Sequence, residues 1–272
     1  MVISMMTFLK KFASSHSLFL KALAITGTIV PATASYSQAN FLIWPIYPVI
    51  ENKQKAVPVW LENVGDSPAM VQIRVFKWTQ DQYKEQFSTQ QEIIASPPIV
   101  KIPAGTKQMI RLTQAVPTPD LKENSYRVVV DELPVAVDSE TDNSRVNFKM
   151  RYSIPLFTYG KGIGSGTGQE TKKINSKNPL AKPVLTWVFT QAKGKEVLEI
   201  KNTGAMSARI SEFKAGDKLF KAQAENNAYG YVLPNSIIHF SLSTDLKNNI
   251  NKTNALGAIV GSKKEIVAVE KQ

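Results

Sequence analysis

From Val146 to Leu156 every second residue is apolar: Val146, Phe148, Met150, Tyr152, Ile154 and Leu156. Asn147, Lys149, Arg151, Ser153 and Pro155 lie between them. Strict alternation predicts a β-strand with one apolar and one polar face. Strands commonly run about five or six residues, and this run covers eleven. Its length raises the question of what so long an apolar face serves.

The same period recurs along the chain. "NFLIWPIYPVIEN" is apolar and extended, but Pro45 and Pro48 bar it from a central ladder position. It suits an edge strand, or one that switches between two sheets. In "KAVPVWLENVGDSPAMVQIRVFKWTQ" two alternating strands flank the polar turn "NVGDSP". "SPPIVKIPAGTKQMIRLTQA" adds two strands around "PAG", and "SYRVVVDELPV" adds another before the polar stretch Val135–Arg145. Strands about ten residues apart, with turn signals between them, predict a β-sandwich. The Gly-rich stretch Tyr159–Gln169 breaks the pattern. It lacks a dinucleotide fingerprint, because Thr167 occupies the last glycine position and no helical pattern follows. It reads as a linker. Beyond it "LEIKNTGAMSARISEFK" echoes "VWLENVGDSPAMVQIRVFK", a weak internal repeat consistent with two related sandwiches in tandem. "YGYVLPNSIIHFSL" and "KKEIVAVEKQ" supply closing strands.

The first forty residues follow other rules. Lys10 and Lys11 precede an apolar run interrupted only by Lys21, and small residues follow at Ala32–Ala34 and at Ser37–Ala39. This predicts a secretory signal peptide over residues 1–39, cleaved after Ala39, with Ala32–Ala34 as a second cleavage option. The run is too short and interrupted for a membrane span, which needs about 20 apolar residues. An exported chain lacking Lys10, Lys11 and Lys21 drops from a net charge of +11 to +8. Export argues against a nucleic-acid partner, as does the lack of basic runs with interleaved aromatics. The chain has no cysteine, and His239 is the one histidine beyond the leader. Thiol catalysis and most zinc sites are thereby excluded, and there is no G-x-S-x-G elbow. His239 reads as an ordinary strand residue. The acidic groups Asp131–Glu132 and Asp138, Glu140 and Asp142 lack calcium-loop spacing. The expectation is a binding protein without cofactor or metal, not an enzyme.

"LKENSYRVVVDELP", through Glu123, Tyr126, Glu132, Leu133 and Pro134, resembles the signature of the periplasmic pilus-assembly chaperones. "KIPAGTKQMIRLT", "IPLFTYG", "VLTW" and "YVLPNS" are similar to further segments of that family. "FLIWPIYPVIEN" and "RYSIPLFTYGKGIG" resemble its archaic chaperone–usher branch. The resemblance implies an all-β chain of two immunoglobulin-like β-sandwich domains in tandem, boomerang-shaped. The N-terminal domain spans 40–157, a Gly-rich linker 158–170 and the C-terminal domain 171–272. It further implies a chaperone that lends its G strand to a pilus subunit whose own sandwich lacks a strand. The chaperone then delivers the subunit to an outer-membrane usher, without inserting in the membrane. Val146, Phe148, Met150, Tyr152 and Ile154 are the expected plugs. Burying such a side chain gives roughly 1.5–3 kcal/mol. An exported Ig-like fibre subunit or adhesin is the alternative.

The better-known branch of that family holds the subunit's C-terminal carboxylate with an arginine on the first strand and a lysine near the end of the G strand. Those positions fall near Tyr47 and Pro155 here, and neither supplies a cation. If Pro134 pairs near Val146, Arg127 lies across from Ser153 and close to the vacated lysine position. Arg127 is the first candidate anchor, with Arg74 and Arg151 behind it.

Overall fold

A computed structural model describes residues 40–134, 149–167, 169–225, 230–261 and 264–272. The leader, Val146 and Phe148 lie outside the described residues. The strands of the first sandwich are β1 (Phe41–Trp44), β2 (Val49–Ile50), β3 (Ala56–Asn63), β4 (Ala69–Asp81), β5 (Lys84–Ser88), β6 (Ile93–Ser96), β7 (Ile99–Ile102), β8 (Lys107–Gln114), β9 (Glu123–Leu133) and β10 (Arg151–Tyr159). One sheet runs β1-β3-β8-β6, and the other β2-β10-β9-β4-β5 with β7 also on β4. The "FLIWPIYPVI" segment does switch sheets: β1 pairs with β3 in the first, and β2 runs parallel to β10 in the second. The two strands flanking "NVGDSP" also part, β3 to one sheet and β4 to the other. Alternation explains the core, since Val59 and Leu61 of β3, Tyr126, Val128 and Val130 of β9, and Ile154 and Leu156 of β10 all point between the sheets. Pro58 is tolerated inside β3 because the ladder to β1 has already ended at Trp60.

The second half contains α1 (Gln169–Lys177), β11 (Leu185–Ala192), β12 (Lys195–Asn202), β13 (Ala208–Ala215), β14 (Lys218–Lys221), β15 (Tyr231–Val232), β16 (Ser236–Ser241), α2 (Thr244–Thr253), β17 (Leu256–Val260) and β18 (Glu265–Lys271). Its sheet follows the path β14-β13-β17-β18-β11-β12-β16, with β15 on β13. Trp187, Leu198, Ile200, Ile210, Phe213 and Phe240 form its core, joined by Leu246 and Ile250 of α2. The Ser243 hydroxyl caps α2 by accepting from the Leu246 N–H.

The Gly-rich stretch departs from the expectation of a flexible linker without a helix. It is fixed by hydrogen bonds and leads into α1. Asn175 of α1 accepts from the Gly164 N–H and donates to the Gly164 carbonyl, and Glu51 accepts from the Ser165 N–H and hydroxyl. Gly160 must be glycine because a Cβ there would lie 1.8 Å from the Pro119 carbonyl oxygen. A third apolar cluster, Trp78, Phe157, Tyr159, Ile163, Ala181, Tyr231 and Leu233, joins the sandwiches. Gln80 seals it by donating to the Tyr231 carbonyl at 2.8 Å and accepting from the Leu233 N–H at 2.8 Å.

Candidate functional site

β10 has one satisfied edge and one open edge. It pairs with β9 from Arg151–Asp131 to Tyr159–Glu123. On its other side β2 covers only Phe157 and Thr158. The Glu132 N–H donates to the Met150 carbonyl at 3.0 Å, and the Phe157 N–H donates away from β9, to the Pro48 carbonyl at 3.4 Å. Antiparallel ladders alternate between paired and outward-pointing residues. The main-chain groups of Arg151, Ser153 and Pro155 therefore face outward, where no strand of the described residues meets them. Pro155 offers a carbonyl but no N–H.

The apolar face of this strand divides. Ile154, 8% exposed, and Leu156 are buried in the first core, so Ile154 is not a free plug in this structure. Tyr152 sits at the boundary, edge-on to Phe41 with its hydroxyl accepting from the Phe41 N–H at 3.2 Å. Met150 is 38% exposed. The base of the strand is gripped by acids. Asp131 accepts from Arg74 at 2.6 Å and from Arg151, and Glu132 accepts from the Met150 N–H at 3.3 Å with Lys149 Nζ 3.6 Å away. Burial works against the Asp131 charge, but Arg151 and Arg74 outweigh it and hold its carboxyl below the usual range.

Arg127 lies across from Pro155, two residues from the expected Ser153, which pairs instead with Val129. Its guanidinium is 3.9 Å above the Trp78 ring centroid and 5.8 Å from that of Tyr231, and it donates to Glu85 at 3.3 Å. It is 2% exposed, so the first-ranked anchor belongs to the seam between the sandwiches and not to open surface. Arg74 lies across from Val129 and Arg151 across from Asp131, further along β9, and both are paired with the Asp131 carboxylate.

The family whose description reads "Pili and flagellar-assembly chaperone, PapD N-terminal domain" matches residues 48–163. The chain also aligns along its length with a chain in the crystal structure of the CsuC–CsuE chaperone–tip adhesion subunit pre-assembly complex, from archaic chaperone–usher Csu pili of Acinetobacter baumannii. Identity there is 48%, with 86% of this chain and 100% of that chain covered and a TM-score of 0.72. The protein belongs to the pilus-assembly chaperones. A curated relative, the probable fimbrial chaperone YadV of Escherichia coli K12, is 30% identical over 177 residues, covering 63% of this chain and 66% of that protein. The E. coli chaperone DraB, at 14% identity and a TM-score of 0.56 over 86% of this chain and 97% of its own, shares the fold.

In this chaperone Tyr47 is contacted from the second sandwich. Arg209 of β13 donates to the Tyr47 hydroxyl, its guanidinium carbon 4.8 Å from that ring. Sequence reasoning missed Arg209 because nothing local links β13 to the first strand. Glu123 of the signature also faces the seam and accepts from the Ser207 N–H at 3.2 Å with each oxygen. Loss of water around it pushes its carboxyl up to about 7, against hydrogen bonds from Ser207 and Tyr159. Tyr126 instead turns inward to the first core, its hydroxyl donating to Glu92, which Lys77 also holds at 2.6 Å. His239 is an ordinary strand position, stacked by Tyr83 at 3.7 Å and lying 3.4 Å from Glu199.

Proposed function

We infer that this chaperone captures newly exported pilus subunits by lending them β10, and passes them to an outer-membrane usher. The observation that carries this is the open outer edge of Arg151–Pro155, continuous with the exposed Met150. An unpaired edge beside apolar side chains accepts an added strand, whose main chain supplies affinity while alternate side chains fill pockets. A subunit lacking a strand needs both, since its own core and edge are otherwise exposed to aggregation. Met150 and Tyr152 are the plugs within the described residues, continued by Val146 and Phe148. Each side chain fully buried is worth roughly 1.5–3 kcal/mol before ordering costs.

The open edge closes where β2 begins, and Arg127 stands opposite Pro155 at that point. A guest strand that terminates there brings its terminal carboxylate toward a guanidinium, which favours a charge-assisted pair. Arg74 and Arg151, already paired with Asp131, are the secondary candidates. Residues 1–39 act as a signal peptide cleaved after Ala39, delivering the chain to the periplasm. A fibre subunit or adhesin has no support of comparable weight, since β10 fills its own sandwich with Ile154 and Leu156 and still keeps an edge to lend. The test is Met150→Asp and Phe148→Asp in cells co-expressing a cognate subunit. Both variants should fold and fail to recover subunit from the periplasm, and normal co-purification with either would refute strand donation.

A further inference from the structure

Arg127 already holds a carboxylate. Its Nη2 donates to Glu85 Oε1 at 3.3 Å, with the two side chains 3% and 17% exposed. That is longer than the about 2.7–2.9 Å of a strong charge-assisted bond. Burial raises the Glu85 carboxyl above its ordinary range even though Arg127 is beside it, so desolvation outweighs the attraction. Glu85 also lies at the margin of its sheet. It belongs to β5, the outermost strand of its sheet, paired only with β4 at Gln80. The β4–β5 turn places Gln82 and Tyr83 at φ of 47° and 65°, a left-handed conformation that favours glycine. The stack of Tyr83 on His239 holds this hairpin against the second sandwich.

We propose that Glu85 is an internal stand-in for the guest's terminal carboxylate: it occupies Arg127 in the free chaperone and yields it when a subunit strand reaches Pro155. This rests on the strand-donation reading. Two carboxylates on one guanidinium in a dry seam repel each other, so the incoming terminus and Glu85 exclude one another. Glu85 therefore lowers the affinity for every guest terminus and sets a negative charge beside Arg127 while the site is empty. The groups facing the pair are Trp78 and Gln80 of β4 and Tyr231 of β15.

The full chain is titrated with a synthetic peptide of about twelve residues, alternating valine and serine as an added strand requires. The peptide is used both with a free carboxylate end and as its C-terminal amide. Binding is read by calorimetry and by tryptophan emission, because Arg127 leaves the face of Trp78 as it changes partner. The wild type should bind the carboxylate form more tightly. Glu85→Gln should tighten that form by about three- to tenfold, by removing the competing state, and leave the amide form unchanged. Glu85→Asp, which keeps the charge but shortens the reach, should give a smaller gain in the same direction. If the wild type binds both peptides alike, the terminal anchor itself fails, and the stand-in with it. If the wild type discriminates while Glu85→Gln and Glu85→Asp gain nothing, the anchor survives and the stand-in role is overturned.

Discussion

The two sandwiches share a corner and differ in how their last strands end. At the end of β3, buried Asn63 donates to the Ser67 carbonyl at 2.8 Å and the Ile102 carbonyl at 3.1 Å, and accepts from the Gly65 N–H at 3.1 Å. At the end of β12, buried Asn202 donates to the Met206 carbonyl at 2.8 Å and the Val232 carbonyl at 3.0 Å, and accepts from the Gly204 N–H at 2.9 Å. The weak Asn-x-Gly repeat is thus one hydrogen-bonded corner used twice. The final strands diverge. β18 is shared between two neighbours, β17 from Glu265 to Val269 and β11 from Val269 to Lys271, whereas β10 is paired along its length with β9 and has β2 beside it only at Phe157 and Thr158. On a common scaffold the last strand of the second sandwich passes from one neighbour to another, and that of the first keeps one neighbour and an open edge at Arg151–Pro155. Strand donation, as proposed, would draw on that open edge, while the corner is common to both sandwiches.

Three measurements press on that contrast. The largest effect belongs to the corners. Asn63→Ala and Asn202→Ala each strand buried main-chain groups, at about 1–3 kcal/mol per unsatisfied group. Both should lower stability by similar amounts in urea unfolding, and a large inequality would break the equivalence. The seam comes next. Glu123 has a folded-state pKa of about 7, above its ordinary 4.5, so its protonated form favours the folded state. Stability should rise as pH falls from 8 through 7 toward 4.5, and the gain is lost above 7. Glu123→Gln should flatten this part of the melting-temperature profile and raise stability at pH 8. The smallest effect is at the strand's base. Asp131 is held below its ordinary range, so its contribution is present at neutral pH and lost as pH falls below the usual 3.8. Because Arg74 and Arg151 are 42% and 68% exposed, Asp131→Asn should cost only about 1 kcal/mol or less. It should, however, speed amide exchange at Glu132, whose N–H holds Met150.

The strands were legible because burial on one side imposes a period of two, as in β3, β9 and β10. The helices were not. α1, "QETKKINSK", buries no residue and so has no apolar stripe, and α2 commits only Leu246 and Ile250 to the core. Hairpin register points to Arg127, but its parity within "YRVVV" says only that it leaves the first core. That a second sandwich covers that face is a fact of tertiary packing. The two-residue error in its partner arose because register across a long loop depends on where the chain re-enters, which alternation alone leaves free by steps of two. Of the side chains expected as plugs, Met150 and Tyr152 lie at or beyond the margin of the core. Ile154 does not, because the alternating face gives no sign of where its host's interior stops.

Pro155 acts as a buffer stop. A strand added from Arg151 onward would run out of donors at an imino acid and meet β2 just beyond it, so the host would set the length of chain that can be gripped. Under strand donation a guest would have to match the host twice, with a tail of fitting length and with an unfinished core that takes the alternating side chains. Guests that differ elsewhere could then share one such host.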